Sequence, residues 1–549
     1  MAKPRILIVG GVAGGASCAA RARRLSEAAE IIIFDRGQFV SFANCGLPYY
    51  VGSIITDEKK LLVANVALFK QRFNIEVRLQ HEVVAIDRTA QTLTVKNLQT
   101  GEVQQEPYDA LVLSPGAAPI RPPLPGIELP GIFALRTIPD SRRIREWIDA
   151  HQVKQAVVVG GGFIGLEMTE NLVHRGIAVT LIEKLPQVMP SFDPEMIAPV
   201  QAHLQSQGVN LCLNDGVRGF ATGANHSLIV QTDSGEQHPA EMVILAIGVR
   251  PENKLAKEAG LELGERGGIR VNAAMQTSDP QIWAVGDAVE VQDFVTQEWT
   301  LIPLAGPANR QGRIAAETIL GRDSQFRGVQ GTSVCGIFDL TVASTGANEK
   351  TLQRVGMDYR KVYLHPGHHA GYFPGAQPIA IKLLYAPTDG RILGAQAVGT
   401  AGTEKRIDVL AMAIQAGMTV FDLEEAELCY APQFGAAKDP VNMAGMIAVN
   451  ALRGDAPIVY WEDLDLAQVC LVDVREESEF ERGHVAGAIN LPLSQLRQRI
   501  EELPRDRPVW IYCQVGQRGY YATRTLRQSG FDAHNLTGGF KTYEALTEA

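Results

Sequence analysis

Ala156-Val-Val-Val-Gly-Gly-Gly-Phe-Ile-Gly165 sets the fold class. A β-branched run that breaks into Gly160, Gly162 and Gly165 and then enters an apolar segment reads as strand, tight turn and helix on a parallel sheet. Glycines at such a turn let phosphate oxygens approach the backbone, where the helix N-terminus supplies N–H groups and positive dipole. The next strand, Val179-Thr-Leu-Ile-Glu183, ends in an acid 18 residues after Gly165. That carboxylate can accept from both ribose hydroxyls and would repel a 2′-phosphate, which favours NADH; Lys184 beside it leaves NADPH open.

The same signature stands about 150 residues earlier, where Arg5-Ile-Leu-Ile-Val9 runs into Gly10-Gly-Val-Ala-Gly-Gly15. Val12 occupies the middle glycine position, but Ile31-Ile-Ile-Phe-Asp35 ends in an acid 20 residues after Gly15. Two such starts imply two dinucleotide sites. Tyr108-Asp-Ala-Leu-Val-Leu-Ser-Pro-Gly-Ala117 and Thr277-Ser-Asp-Pro-Gln-Ile-Trp-Ala-Val-Gly-Asp287 are similar to segments of two-dinucleotide flavoproteins. In that superfamily the final Asp holds the flavin ribityl chain, so FAD plus a nicotinamide is the expected pair.

The bulk composition fits a multi-domain globular enzyme. At 549 residues the chain has room for three or four domains, and 46% hydrophobic with 20% charged residues builds cores rather than a disordered chain. A net charge of -10 argues against a nucleic-acid partner. Seven cysteines, 18, 45, 212, 335, 429, 470 and 513, are scattered with no CxxC, so neither a disulfide framework nor a metal site is expected. The N-terminal apolar run ends in glycines after four residues and no stretch approaches a bilayer span, so a cytoplasmic protein without targeting or membrane segment is expected.

Ser41-Phe-Ala-Asn-Cys-Gly-Leu-Pro48 follows the first turn at the distance where this superfamily places its redox cysteine beside the flavin. An internal disulfide would need a second cysteine a few residues on, and the position five after Cys45 is Tyr50. Cys45 must then work through a mixed disulfide, a persulfide or a sulfenic acid.

Near the C-terminal end, Leu471-Val-Asp-Val-Arg475, Gly483-His484, Gly487-Ala-Ile-Asn490 and Val509-Trp-Ile-Tyr-Cys-Gln-Val-Gly-Gln-Arg518 resemble a single rhodanese domain. Cys513 would sit in a loop of inward backbone N–H groups that stabilises a thiolate or persulfide. Arg518 closes that loop in the family pattern, and the four residues between Cys513 and Arg518 match the sulfurtransferase length, one fewer than in the related phosphatases.

Along essentially its whole length the sequence resembles the coenzyme A disulfide reductases fused to rhodanese, a family that includes NADH-dependent persulfide reductases. The resemblance makes Cys45 the nucleophile, with Ser41 and Asn44 lining the coenzyme A thiol end. It nominates Tyr372 in His369-Ala-Gly-Tyr-Phe-Pro-Gly375 and Tyr430 in Cys429-Tyr-Ala-Pro432 as groups from a partner subunit, which implies a homodimer. Lys438 and the first-helix residues Ser17, Arg21, Arg23 and Arg24 are the implied coenzyme A contacts, while Phe73 replaces one family lysine. Dinucleotide contacts carried over are Gly10, Val12, Ala13, Gly14, Asp35 and Arg36, then Ser41, Asn44, Ser114, Pro115 and Gly116. They continue with Gly160, Gly162, Phe163, Ile164, Gly165, Glu183 and Gly248, and end with Gly286, Asp287, Leu304 and Ala305. Ala13 stands where related peroxide and oxygen reductases carry histidine, which favours disulfide or persulfide substrates.

The expected architecture is α/β. An FAD-binding domain takes residues 1-112 and 250-325, an NAD(H)-binding domain 113-249, and an α+β dimerisation domain 326-450; a mobile linker at 451-457 precedes a rhodanese domain at 458-549. The expected activity is NADH-dependent reduction of coenzyme A persulfide and related sulfane sulfur to sulfide, with Cys513 relaying sulfur towards Cys45. Plain coenzyme A disulfide reduction and a flavin-based redox sensor with little turnover are the rivals.

Overall fold

The computed structural model describes residues 3–223 and 227–548, which fall into two compact units. One holds Met1–Val188 and Gly208–Gly331; the other holds Met189–Gln207 and Thr332–Ala549. Among the described residues no helix is long and apolar enough to cross a membrane.

The first unit repeats one motif. Strands Arg5–Val9, Glu30–Asp35 and Glu76–Leu79 lie to one side, and Ala110–Leu113 and Ile282–Ala284 to the other, in a five-stranded sheet that is parallel throughout. A second parallel sheet orders Asn210–Cys212, Ala178–Ile182, Gln155–Val159, Met242–Leu245 and Ile132–Ala134. Their central strands are continuous apolar runs because both faces are covered: on one face of the second sheet Phe220, Leu228, Val230 and Ala240, from a three-stranded antiparallel sheet, pack on Val157, Val159, Val243 and Leu245. Helix Ala13–Leu25 lies so close to helix Ala305–Ile319 that a Cβ on Gly312 would stand 2.2 Å from the Gly14 carbonyl oxygen.

The second unit joins an antiparallel sheet to a parallel one. The antiparallel sheet runs Ser333–Ile337, Leu340–Gly346, Ile392–Gly399, Ile379–Tyr385, Arg360–Leu364. The parallel sheet at the C-terminal end orders Ile458–Val459, Ala533–Leu536, Val509–Tyr512, Cys470–Asp473 and Ile489–Asn490. The α/β class with an added α+β layer and a C-terminal α/β module is therefore as the sequence predicts.

Helix Pro194–Ser206 lies inside the stretch 113–249 yet packs with the second unit. The cause is a fully buried cation. Lys382, in the middle of an apolar strand, holds Asp193 at 2.7 Å and also pairs with Glu195 and Glu349. Tyr363 donates to Glu195 at 2.7 Å, and Lys361 bridges Glu349 to Glu462 of the C-terminal module.

That module is fastened to the antiparallel sheet. Thr537 Oγ1 accepts from the Tyr363 amide at 2.9 Å, and Tyr460 OH accepts from the Lys361 amide at 3.1 Å. The segment expected as a mobile linker is tied down as well: helix Pro440–Leu452 runs into it, Arg524 binds the carbonyl and carboxylate of Asp455, and Ala456 is buried. The mobile tether is thus corrected to a short anchored connection.

Burial opposes ionisation of Glu349, but Lys382 and Lys361 outweigh it and hold its carboxyl at about 2. A carboxyl depressed in the folded state stabilises above its ordinary 4.5, and that contribution is lost as pH falls towards 2. Lys382→Met leaves three carboxylates without their shared cation, at a cost of about 3–5 kcal/mol. Calorimetry of the full chain should show a lowered melting transition at pH 7 for Lys382→Met and a smaller acid sensitivity below pH 4.5; an unchanged transition would contradict the assignment.

Candidate functional site

Both nucleotide turns are built by backbone crowding. Gly10 has φ 93 and Gly160 φ 103, and a Cβ on Gly15 or Gly165 would stand 2.0 or 1.9 Å from the carbonyl oxygen of Gly10 or Gly160. The amide of Gly11 donates to Asp35 Oδ2 at 2.9 Å and that of Gly161 to Glu183 Oε2 at 2.7 Å, so each acid is fixed against its own turn. A Cβ on Gly162 would meet nothing within 4 Å, which leaves room at the mouth of helix Phe163–His174 for a phosphate. Val12 precedes helix Ala13–Leu25 as its cap residue, and Leu304 does the same for the helix that begins at Ala305.

Ser114 follows the strand beside Arg5–Val9, and its amide donates to Val9 O at 2.8 Å. Gly116 has φ 76, and its missing side chain makes way for Arg136. Gly286, φ 82, donates to Gln311 at 2.7 Å and presents Asp287, which Arg136 meets at 3.1 Å. Gly248 has φ 103 and its carbonyl accepts from Ile120 at 3.0 Å. Arg36 reaches Glu252 at 2.8 Å. These positions fit a dinucleotide in each half: open glycine turns, fixed acids and positively charged side chains.

Cys45 sits on a single 3-10 turn, Asn44–Gly46, ahead of helix Leu47–Val51. Ser41 holds the turn with a left-handed backbone, φ 49, receiving the amides of Val63 and Ala64 on its carbonyl. Gly52 then packs on Asn171 so tightly that a Cβ would lie 2.0 Å from its amide oxygen, which brings Cys45 to the helix of the second nucleotide turn. The Asn44 Oδ1 atom is sealed from solvent without a hydrogen-bond partner among the described residues, as expected of an atom that serves a ligand. The Cys45 side chain reaches solvent, but enclosure by its neighbours lifts the thiol above its ordinary 9.0, and Glu167 and Asp287 push it further against Arg136. Burial, with Glu170 beside it, raises Glu167 to about 7, opposed by a hydrogen bond from Tyr49.

Glu167 and Arg136 were missed in the sequence. An acid four residues past Phe163 in an otherwise apolar helix start was the available signal for Glu167; Arg136 carries none.

In the second unit Tyr372 and Tyr430 come together, their hydroxyls 2.5 Å apart, with Tyr372 75% and Tyr430 46% exposed. That hydrogen bond pushes Tyr430 above its ordinary 10. The loops bearing them are clamped by Arg406, buried between Asp439 at 2.8 Å and the His368 carbonyl at 2.8 Å, and by the Ala370 amide on Gly435 O. Lys438 is exposed beside Asp439.

The first-helix cations divide. Arg23 is consumed by four backbone carbonyls and leaves the binding set. Arg21 is ion-paired with Glu317, Ser17 bonds Asn309, and Arg24 is exposed.

Cys513 is buried at the end of strand Val509–Tyr512, and the Gly516 amide points at its sulfur from 3.2 Å. Two carbonyls of the loop are tied to the following helix: Cys513 O accepts from Phe540 N at 2.7 Å and Gln514 O from Lys541 N at 3.0 Å. Arg518 binds Glu479 through two hydrogen bonds of 2.6 and 2.7 Å, which holds the Glu479 carboxyl at about 2. The turn Thr537–Gly539 lies directly on this loop.

Two outcomes follow from this geometry. Glu167→Gln removes a charge that opposes the Cys45 thiolate, so alkylation of Cys45 in the reduced enzyme should quicken a few-fold. Because Glu167 ionises near 7, that gap should widen above pH 7; equal rates from pH 6 to 9 would refute the coupling. A Cβ on Gly539 would stand 2.3 Å from the Cys513 carbonyl oxygen. Gly539→Ala should therefore abolish sulfur transfer from thiosulfate while NADH-dependent flavin reduction continues, and retention of both activities would count against the loop assignment.

Residues 4–312 match the pyridine nucleotide-disulphide oxidoreductase family, 332–439 its dimerisation domain, and 458–546 the rhodanese-like domain. Coenzyme A disulfide reductase of Staphylococcus haemolyticus is 38% identical over 442 residues, which cover 80% of this chain and 98% of that protein. The crystal structure of reduced CoADR-RHD from Bacillus anthracis is 50% identical and superimposes with a TM-score of 0.97, covering 100% of this chain and 98% of the other. An NAD-dependent persulfide reductase from A. fulgidus is 36% identical with a TM-score of 0.91, covering 98% and 100%. The chain belongs to the pyridine nucleotide-disulphide oxidoreductase family, as an FAD-dependent enzyme of the coenzyme A disulfide reductase type that carries a rhodanese domain.

Proposed function

We propose that the enzyme reduces coenzyme A persulfide and related sulfane sulfur to sulfide at the expense of NADH. The observation that carries this is a pair of unlike sulfur sites on one chain: Cys45 without a second cysteine near it, and Cys513 in a sulfurtransferase-length loop with an amide on its sulfur. Bound flavin supplies two-electron transfer between the nicotinamide and sulfur. Asp35, Ser114 and Asp287 would hold FAD, and Gly160, Gly162, Gly165 and Glu183 the NADH.

The sulfur steps belong to the chain. The Cys45 thiolate attacks the sulfane sulfur of R–S–SH, breaking the S–S bond and releasing the thiolate of coenzyme A. Two electrons then split the Cys45 persulfide into thiolate and HS⁻, and the enzyme is restored. Ser41 and Asn44 would border the reacting sulfur, a role supported by Asn44 Oδ1 having no partner among the described residues. Cys513 takes sulfane sulfur from donors other than coenzyme A and passes it on.

The exposed aromatic patch Tyr372, Phe373, Tyr430 and Phe434 is the face we assign to a homodimer, in which the two tyrosines of one subunit serve the Cys45 of the other. Lys438, Arg21 and Arg24 are the proposed phosphate contacts of coenzyme A. A reducing cytoplasm suits seven cysteines that form no disulfide among the described residues.

A second reading, reduction of coenzyme A disulfide, is favoured by the staphylococcal relatives named for it, which match 80% of this chain. The two readings separate in one comparison. Cys513→Ser should lower sulfide release from thiosulfate or polysulfide roughly tenfold or more while sparing release from coenzyme A persulfide. Unchanged release from every donor would overturn the relay, and turnover of coenzyme A disulfide far above that of the persulfide would favour the second reading.

A further inference from the structure

Away from both sulfur sites, three side chains of metal-ligating type converge at the edge of the second parallel sheet. Cys212 ends strand Asn210–Cys212, and Glu236 and His238 stand at the start of strand Gln237–Ala240. The two-residue period of a strand turns 236 and 238 to the same side. One donor atom from each of the three lies within 4.8 Å of the others.

The imidazole looks unfinished. His238 Nε2 is sealed from solvent and makes no hydrogen bond among the described residues. The nearest charged oxygen, on Glu236, is 3.6 Å away, too far for one. Cys212 is half-buried, so its sulfur is neither sealed in the core nor freely exposed.

We propose that Cys212, Glu236 and His238 form a site for a soft divalent transition-metal ion, Zn²⁺ by chemistry, with water in the fourth position. The donor set decides the class. Thiolate and imidazole select zinc-like ions, which bind sulfur at about 2.3 Å and nitrogen or oxygen at about 2.0–2.2 Å. Calcium and magnesium want oxygen only. Donor atoms around a tetrahedral ion with those bond lengths stand about 3.3–3.7 Å apart, against the 4.8 Å that bounds them here. Binding converts the Cys212 thiol to a thiolate and releases one proton per ion.

Its place in the fold gives the site a consequence. The Cys212 carbonyl accepts from the Glu183 amide at 2.8 Å, and the Asp215 amide donates to Glu183 O at 3.1 Å. A metal here therefore braces the loop that backs Glu183. No close motif marks it in the sequence, because Glu236 lies 24 positions after Cys212.

The test is equilibrium dialysis of the full-length, FAD-loaded enzyme against Zn²⁺, followed by elemental analysis. Wild type should hold one more ion per chain than Cys212→Ser, His238→Ala or Glu236→Gln. With Co²⁺ as probe, wild type should gain a thiolate-to-cobalt absorption that Cys212→Ser lacks and Cys429→Ser keeps. Glu236 is exposed, so its variant tests the site without threatening the fold. Equal metal content in wild type and all three variants, or a cobalt–thiolate band that survives Cys212→Ser, would overturn the proposal.

Discussion

The geometry depends on two close backbone contacts. At Gly15 against Gly10, and again at Gly165 against Gly160, the helix after each turn comes so near its strand that only hydrogen fits between them. That proximity lets the amides of Gly11 and Gly161 reach Asp35 and Glu183, fixing the acid at the end of the next strand. Each half thus gains an open helix mouth and a positioned carboxylate from one steric constraint. A third tight approach, Gly52 on Asn171, ties the Cys45 segment to the second turn's helix, so the lone sulfur and the second glycine turn are placed by the same packing.

The two sulfur sites differ in their surroundings in a way that suits two tasks. Cys45 reaches solvent with Glu167 and Asp287 disfavouring its thiolate and Arg136 favouring it, so neighbouring charges tune its reactivity. Cys513 is buried, with an N–H donor on its sulfur and an arginine alongside, the setting of an anion cradle. The cradle is held from behind by the turn Thr537–Gly539. Because Thr537 also bonds Tyr363 of the antiparallel sheet, that sheet underlies the loop as well.

What could be read in the sequence was local. Strand, glycine turn and acid recur within about thirty residues, and the Cys513–Arg518 loop is six residues long, so short-range pattern carries both. The Lys382 cluster was invisible because Ile379-Ala-Ile-Lys-Leu-Leu-Tyr385 reads as a strand with one polar position, and its carboxylate partners lie up to 189 residues away. The same distance problem hid the membership of helix Pro194–Ser206 in the second unit and the influence of Glu167 on Cys45. Segment 451–457 looked like a tether by composition, yet Arg524 and the buried Ala456 anchor it. Arg23 looked like a free cation in an Arg-rich helix, whereas four carbonyls occupy it.

In the proposed reaction electrons reach substrate sulfur only through the sulfur atom of Cys45. Anaerobic stopped-flow on the Cys45→Ser enzyme tests it most directly: NADH is mixed first, coenzyme A persulfide second, and the flavin absorbance is followed. NADH should bleach the flavin at the wild-type rate, and the colour should then fail to return. Reoxidation by the persulfide at the wild-type rate would contradict it.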